Sequence, residues 1–141
     1  MREGLNSVML RRMSSGPDPS KLRILIVDDS PRFLTAARGV LEHDGINVVG
    51  VASTSAEAIP LAQELRPDGI LVDVDLGDES GLDLARELAS SESAPVVLIS
   101  AYSESELADL IAASPAIGFL SKSDLSASAL WSLIGTQRSP G

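Results

Sequence analysis

Five short apolar runs, each closed by polar residues and separated from the next by an amphipathic stretch, constrain this chain more than any other feature. The runs are Leu22–Val27, Ile46–Ala52, Gly69–Val74, Pro95–Ser100 and Ile117–Leu120. They are rich in Ile, Val and Leu and do not alternate with polar residues. That pattern reads as strands buried on both faces. Between them the spacing changes to the helical period. Ser30-Pro31 is an N-cap with proline in the first turn, and Phe33, Ala36, Ala37, Val40 and Leu41 then mark one face until Gly45. Ser55 can cap a second helix over Ala56–Leu65, which Pro60 should bend by removing one backbone bond. Gly81 opens a third through Leu82, Leu84, Ala85 and Leu88. Ser103 and Glu106 have the spacing of a capping box before a fourth, with Leu107, Leu110 and Ile111 on its buried face. Leu125, Ala129, Leu130, Leu133 and Ile134 mark the fifth.

Five strands alternating with five helices predict an α/β fold, a doubly wound parallel sheet with helices on both faces. A length of 141 residues fits one such domain. Residues 1–20 lack periodicity and read as a flexible tail, and residues 137–141 as a frayed end. The chain has no Cys, which excludes disulfides, thiolate metal sites and a Cys nucleophile. Its net charge is −9, and Arg2, Arg11, Arg12, Lys21 and Arg23 sit near the start, so the remainder is more acidic still. Such a body repels phosphate backbones, and 3% aromatic residues offer little stacking surface, so direct nucleic-acid binding is not expected. No apolar run is long enough to span a bilayer and no secretory signal opens the chain, so the expected location is cytoplasmic.

Chemistry gathers at the C-terminal ends of the runs. The first is followed by Asp28-Asp29, the third carries Asp73 with Asp75 two positions on, the fourth ends in Ser100, and the fifth is followed by Lys122. In a sheet of order 2-1-3-4-5 these ends share one edge, where ligands bind at the switch point. Clustered carboxylates repel one another, and a hard divalent cation such as Mg²⁺ relieves that repulsion. Asp73 is then placed to act as a nucleophile toward a phosphoryl group. Lys122 supplies a point charge and Ser100 a hydroxyl donor for the phosphoryl oxygens.

These residues, together with Gly81 eight positions after Asp73 and Ala101 after Ser100, resemble the receiver domain of two-component response regulators over about residues 22–135. The resemblance implies a flavodoxin-like fold, a receiver domain over residues 21–136, and Asp73 as phosphoacceptor rather than a turnover enzyme's residue. It implies Mg²⁺ held by Asp29 and Asp73, by Asp28 through water, and by the backbone carbonyl of Asp75. Ser100 and Phe119 would form the switch, and Asp75 and Tyr102 would flank the path of attacking water. The implied donor is a sensor histidine kinase or phosphotransfer protein. Helix four, strand five and helix five would carry the signal to an unidentified downstream protein, and helices four and five offer a homodimer face. Ser123 and Gly77 stand where the family usually has proline. Two other readings remain open at this stage. One is an unphosphorylated pseudo-receiver serving as an interaction module. The other is an aspartyl-phosphate phosphatase, since Asp73-Val74-Asp75 resembles the Asp-x-Asp of haloacid-dehalogenase-type enzymes.

Overall fold

A computed structural model describes residues 21–135. The expected tail 1–20 and the frayed end 137–141 lie outside the described residues. The main sheet comprises β1 (Arg23–Val27), β2 (Asn47–Ala52), β3 (Gly69–Asp73), β4 (Val96–Ser100) and β5 (Gly118–Ser121). The five strands are all parallel and run in the order β2-β1-β3-β4-β5, the predicted arrangement. Five α-helices connect them: α1 (Pro31–His43), α2 (Ser55–Leu65), α3 (Gly81–Ser90), α4 (Ala108–Ala112) and α5 (Ala127–Ile134).

The three central strands, β1, β3 and β4, bury both of their faces, which explains their unbroken apolar runs, while the edge strands β2 and β5 are only partly buried. On β1, Ile24 and Ile26 pack with Leu34, Ala37 and Leu41 of α1 and with Leu130 and Ile134 of α5. The alternate residues Leu25 and Val27 pack with Ala58 and Ala62 of α2 and with Leu82, Ala85 and Leu88 of α3. The same alternation continues across β3 and β4, with Leu71, Val97 and Ile99 on one side and Ile70, Val72 and Leu98 on the other. At roughly 25 cal/mol per Å² these two layers supply the main driving force for folding.

The helix starts follow local chemistry. Ser30 caps α1, its hydroxyl accepting from the Phe33 amide at 3.2 Å, with Pro31 in the first turn. Thr54, not Ser55, caps α2. Its side chain accepts from the Glu57 amide, and the Glu57 carboxylate reaches back to the Ser53 amide at 2.7 Å. Pro60 lies inside α2 as expected.

The fourth helix departs from the sequence reading. Ser103 and Glu106 do pair, the Glu106 carboxylate accepting from the Ser103 amide at 3.0 Å. What they close is a single 3-10 turn, Glu104–Glu106, followed by the five-residue α4. None of its residues is buried, and Leu110 is 49% exposed. Of the expected apolar face, Ile111 is half-buried against the α2/α3 layer while Leu110 is left out, so the segment is only partly seated on the sheet. Leu125 also falls outside α5, in the extended residue that follows a 3-10 turn over Lys122–Asp124.

Between β3 and α3 the chain forms a small antiparallel hairpin, Asp75–Leu76 against Glu79–Ser80, which the sequence reading did not anticipate. Among the described residues, no helix is long and apolar enough to cross a membrane.

Candidate functional site

Parallel pairing puts the ends of β1, β3, β4 and β5 side by side, and the polar residues that close those strands meet there. Asp28 is fully buried just past β1. Its amide donates to the Ala52 carbonyl at 3.0 Å, and its Oδ1 accepts from the Ser30 amide at 2.9 Å. Asp73, the last residue of β3, is 6% exposed, and its Oδ1 accepts from the Asp75 amide at 3.0 Å. Asp29 is exposed at the rim. Carboxylate oxygens of Asp28, Asp29 and Asp73 lie within 4.8 Å of one another.

Lys122 reaches into this cluster from the turn after β5. Its Nζ is 2.7 Å from Asp28 Oδ2 and 3.1 Å from Asp73 Oδ2. The ammonium is thus the charged partner of the buried Asp28 Oδ2. It also stands over the Phe33 ring, 4.3 Å from its centre.

These charges set the protonation chemistry. Burial pushes the Asp73 carboxyl up from 3.8 to about 6, and the negative charge of Asp28 adds to the rise. The Asp75 amide and Lys122 pull the other way without cancelling it. For Lys122, burial is the largest single influence and lowers its pKa. The hydrogen bonds and charges of Asp28 and Asp73 together outweigh it, leaving the ammonium above its usual 10.5. A buried carboxyl held up by desolvation, beside two others, binds a cation readily once ionised. The donor set is all oxygen, three carboxylates at close range. It fits a hard divalent ion of the Mg²⁺ type.

The remaining predicted residues are distributed as follows. Ser100 closes β4 at 2% exposure, its hydroxyl accepting from the Tyr102 amide at 3.0 Å. Phe119 lies on β5 opposite Leu98 of β4 and packs, half-buried, against the α2/α3 layer. Asp75 is exposed at the start of the hairpin, and its carboxylate accepts from the Gly77 amide at 3.1 Å. Tyr102 is 59% exposed.

Two glycines shape the loop after Asp73. Gly77 has φ +73°, which proline cannot adopt, and a Cβ there would stand 3.0 Å from Asp29 Oδ2. Gly81 brings α3 so close to β3 that a Cβ would lie 1.8 Å from the Asp73 carbonyl oxygen. Two further contacts escaped the sequence reading. Phe33 read only as a core position of α1. Glu79 carried no signal at all, yet its Oε1 accepts from the Ser55 amide at 2.9 Å and hydroxyl at 3.2 Å, tying the hairpin to the start of α2.

Comparison with known proteins agrees with this fold. The pattern of the response regulator receiver domain matches residues 24–132, and the chain belongs to that family. The transcriptional regulatory protein PdtaR of Mycobacterium tuberculosis is 32% identical over 100 residues, covering 71% of this chain and 49% of that protein. The phyllosphere-induced regulator PhyR of Methylorubrum extorquens is 42% identical over 83 residues, 57% of this chain and 31% of that protein. A protein-glutamate methylesterase/protein-glutamine glutaminase of Alkalilimnicola ehrlichii is 40% identical over 81 residues, 57% of this chain and 21% of that protein. The chain thus spans half or less of these curated relatives, and against the methylesterase it covers a receiver segment alone. Among solved structures, the signal receiver domain of the response regulator NarL from Mycobacterium tuberculosis superposes with TM-score 0.72 at 30% identity, covering 82% of this chain and 97% of that one.

Proposed function

We propose that this chain is a phosphorylation-controlled signalling switch whose phosphoacceptor is Asp73. One observation carries the reading: the Asp73 carboxylate is buried at a strand end, 3.1 Å from the Lys122 ammonium and within 4.8 Å of two further carboxylates. An aspartate so placed, with no base required, has the attributes of a nucleophile toward phosphorus. An Asp73 oxygen attacks the phosphoryl group of a phosphohistidine on a sensor kinase or phosphotransfer protein. The new P–O bond forms as the P–N bond breaks, and the departing imidazole takes its proton from solvent.

Asp29 and Asp73 would hold Mg²⁺ directly, with Asp28 behind them and the Asp75 carbonyl beside them. The ion, when bound, neutralises charge on the phosphoryl oxygens. Lys122 contributes a second positive charge to those oxygens. The Ser100 hydroxyl, at the end of the adjacent strand, turns to donate to one of them. Phe119 follows by repacking against the α2/α3 layer, and this alters the surface of α4, β5 and α5, where a downstream protein or a second copy docks. Such a shift is a change of population between two packings and requires a few kcal/mol of differential stabilisation. The protein acts in the cytoplasm and is consumed as a phosphoacceptor rather than turning over a substrate.

Incubation with acetyl phosphate and Mg²⁺, read by intact mass, tests this. The wild type gains one phosphoryl group, and Asp73→Asn gains none. Equal labelling of the two proteins overturns the assignment.

A further inference from the structure

Lys122 has a neighbour that the aspartate chemistry leaves unused. Its Nζ lies over the ring of Phe33 at 4.3 Å from the centroid while also meeting Asp28 and Asp73. Phe33 sits in the first turn of α1, and the Ser30 hydroxyl accepts from its amide at 3.2 Å. Ser30 in turn donates its own amide to Asp28. The ring therefore hangs from the same short turn that fixes the buried carboxylate. It packs against the α1/α5 layer and lines a groove of about 150 Å³ with Ala37, Val40, Leu41, Leu125 and the Lys122 stem.

A lysine side chain is a flexible stem, and two carboxylates alone leave its ammonium free to slide between them. The negative face of an aromatic ring adds a third attraction from a fixed direction. An aliphatic residue of similar size would fill the groove but could not supply that attraction.

We propose that Phe33 is a positioning residue for Lys122, its ring face holding the ammonium by a cation–π contact where an incoming phosphoryl oxygen meets it. The role rests on Asp73 being the phosphoacceptor.

Phenylalanine analogues carrying increasing ring fluorination, introduced site-specifically at position 33, keep the shape while draining charge from the ring face. Across that series the rate of phosphorylation by acetyl phosphate is expected to fall progressively, by about 2–5-fold in total. Phe33→Leu should match the most fluorinated ring, and Phe33→Tyr should restore the rate. In metal-free wild type the ε-methylene protons of Lys122 should resonate upfield, under the ring, and lose that shift in Phe33→Leu. Ordinary Lys122 shifts in the wild type, or a rate that stays flat across the series, overturn the proposal. An unlabelled wild type would instead sink the phosphoacceptor reading, while the proton shifts still decide whether the contact exists.

Discussion

Asp73→Asn is expected to stabilise the metal-free protein at neutral pH, and the size of the gain follows from the site. Burial, reinforced by Asp28, lifts the Asp73 carboxyl from 3.8 to about 6. A shift of roughly two units corresponds to ~3 kcal/mol between the protonation states. The folded pKa lies above the unfolded one, so folding favours the neutral carboxyl. That contribution is complete below about pH 4 and is lost as pH rises through about 6. Asn keeps the shape and an oxygen for the Asp75 amide but cannot ionise, although it gives up part of the Lys122 contact. The net gain over wild type should be near zero at pH 4 and about 1–3 kcal/mol above pH 7. Urea denaturation of both proteins across this range, in chelator at fixed ionic strength, measures it. Excess Mg²⁺ should narrow the gap, because the ion binds the ionised carboxylates of the wild type. A difference that is constant with pH, or largest at acid pH, refutes the reasoning.

Other substitutions probe the scaffold around the site. Gly81→Ala places a methyl 1.8 Å from the Asp73 carbonyl oxygen and 3.0 Å from the Val74 Cα, backbone atoms that cannot swing aside. A loss of about 2–3 kcal/mol in urea denaturation is expected, with weakened Mg²⁺ binding. Gly39→Ala is the opposite control. It lies on the exposed side of α1 with nothing within 4 Å, and should gain up to about 1 kcal/mol. Glu79→Ala removes the acceptor for the Ser55 amide and hydroxyl and should cost about 1 kcal/mol by the same assay.

The strands were legible because burial on both faces forces an unbroken apolar run, as in the Leu22–Val27 segment that became β1 (Arg23–Val27). Their polar ends were legible because Asp28-Asp29, Asp73, Ser100 and Lys122 follow in order, each at the end of an apolar run, although any one of them alone would read as a turn or cap residue. The fourth helix was misread for a definite cause. Leu107, Leu110 and Ile111 have helical spacing, but spacing alone does not reveal whether the sheet reaches far enough to cover that face, and Leu110 stays exposed. The shift of the α2 cap from Ser55 to Thr54 reflects two adjacent residues of equal capping chemistry. The two-residue strands of the Asp75–Ser80 hairpin are too short to leave a period. Phe33 was assigned to the core because an apolar residue in a first turn gives no hint of the Lys122 ammonium that folding brings to its face.

The arrangement of Asp28, Asp29, Asp73 and Lys122 is tested most directly by a crystal structure of the protein with Mg²⁺ and beryllofluoride, a mimic of the phosphoryl group. The account predicts beryllium bonded to an Asp73 oxygen, Mg²⁺ touching Asp29 and Asp73, and the Lys122 ammonium against a fluoride. Beryllofluoride on another residue, or an ion lodged away from these aspartates, would contradict it.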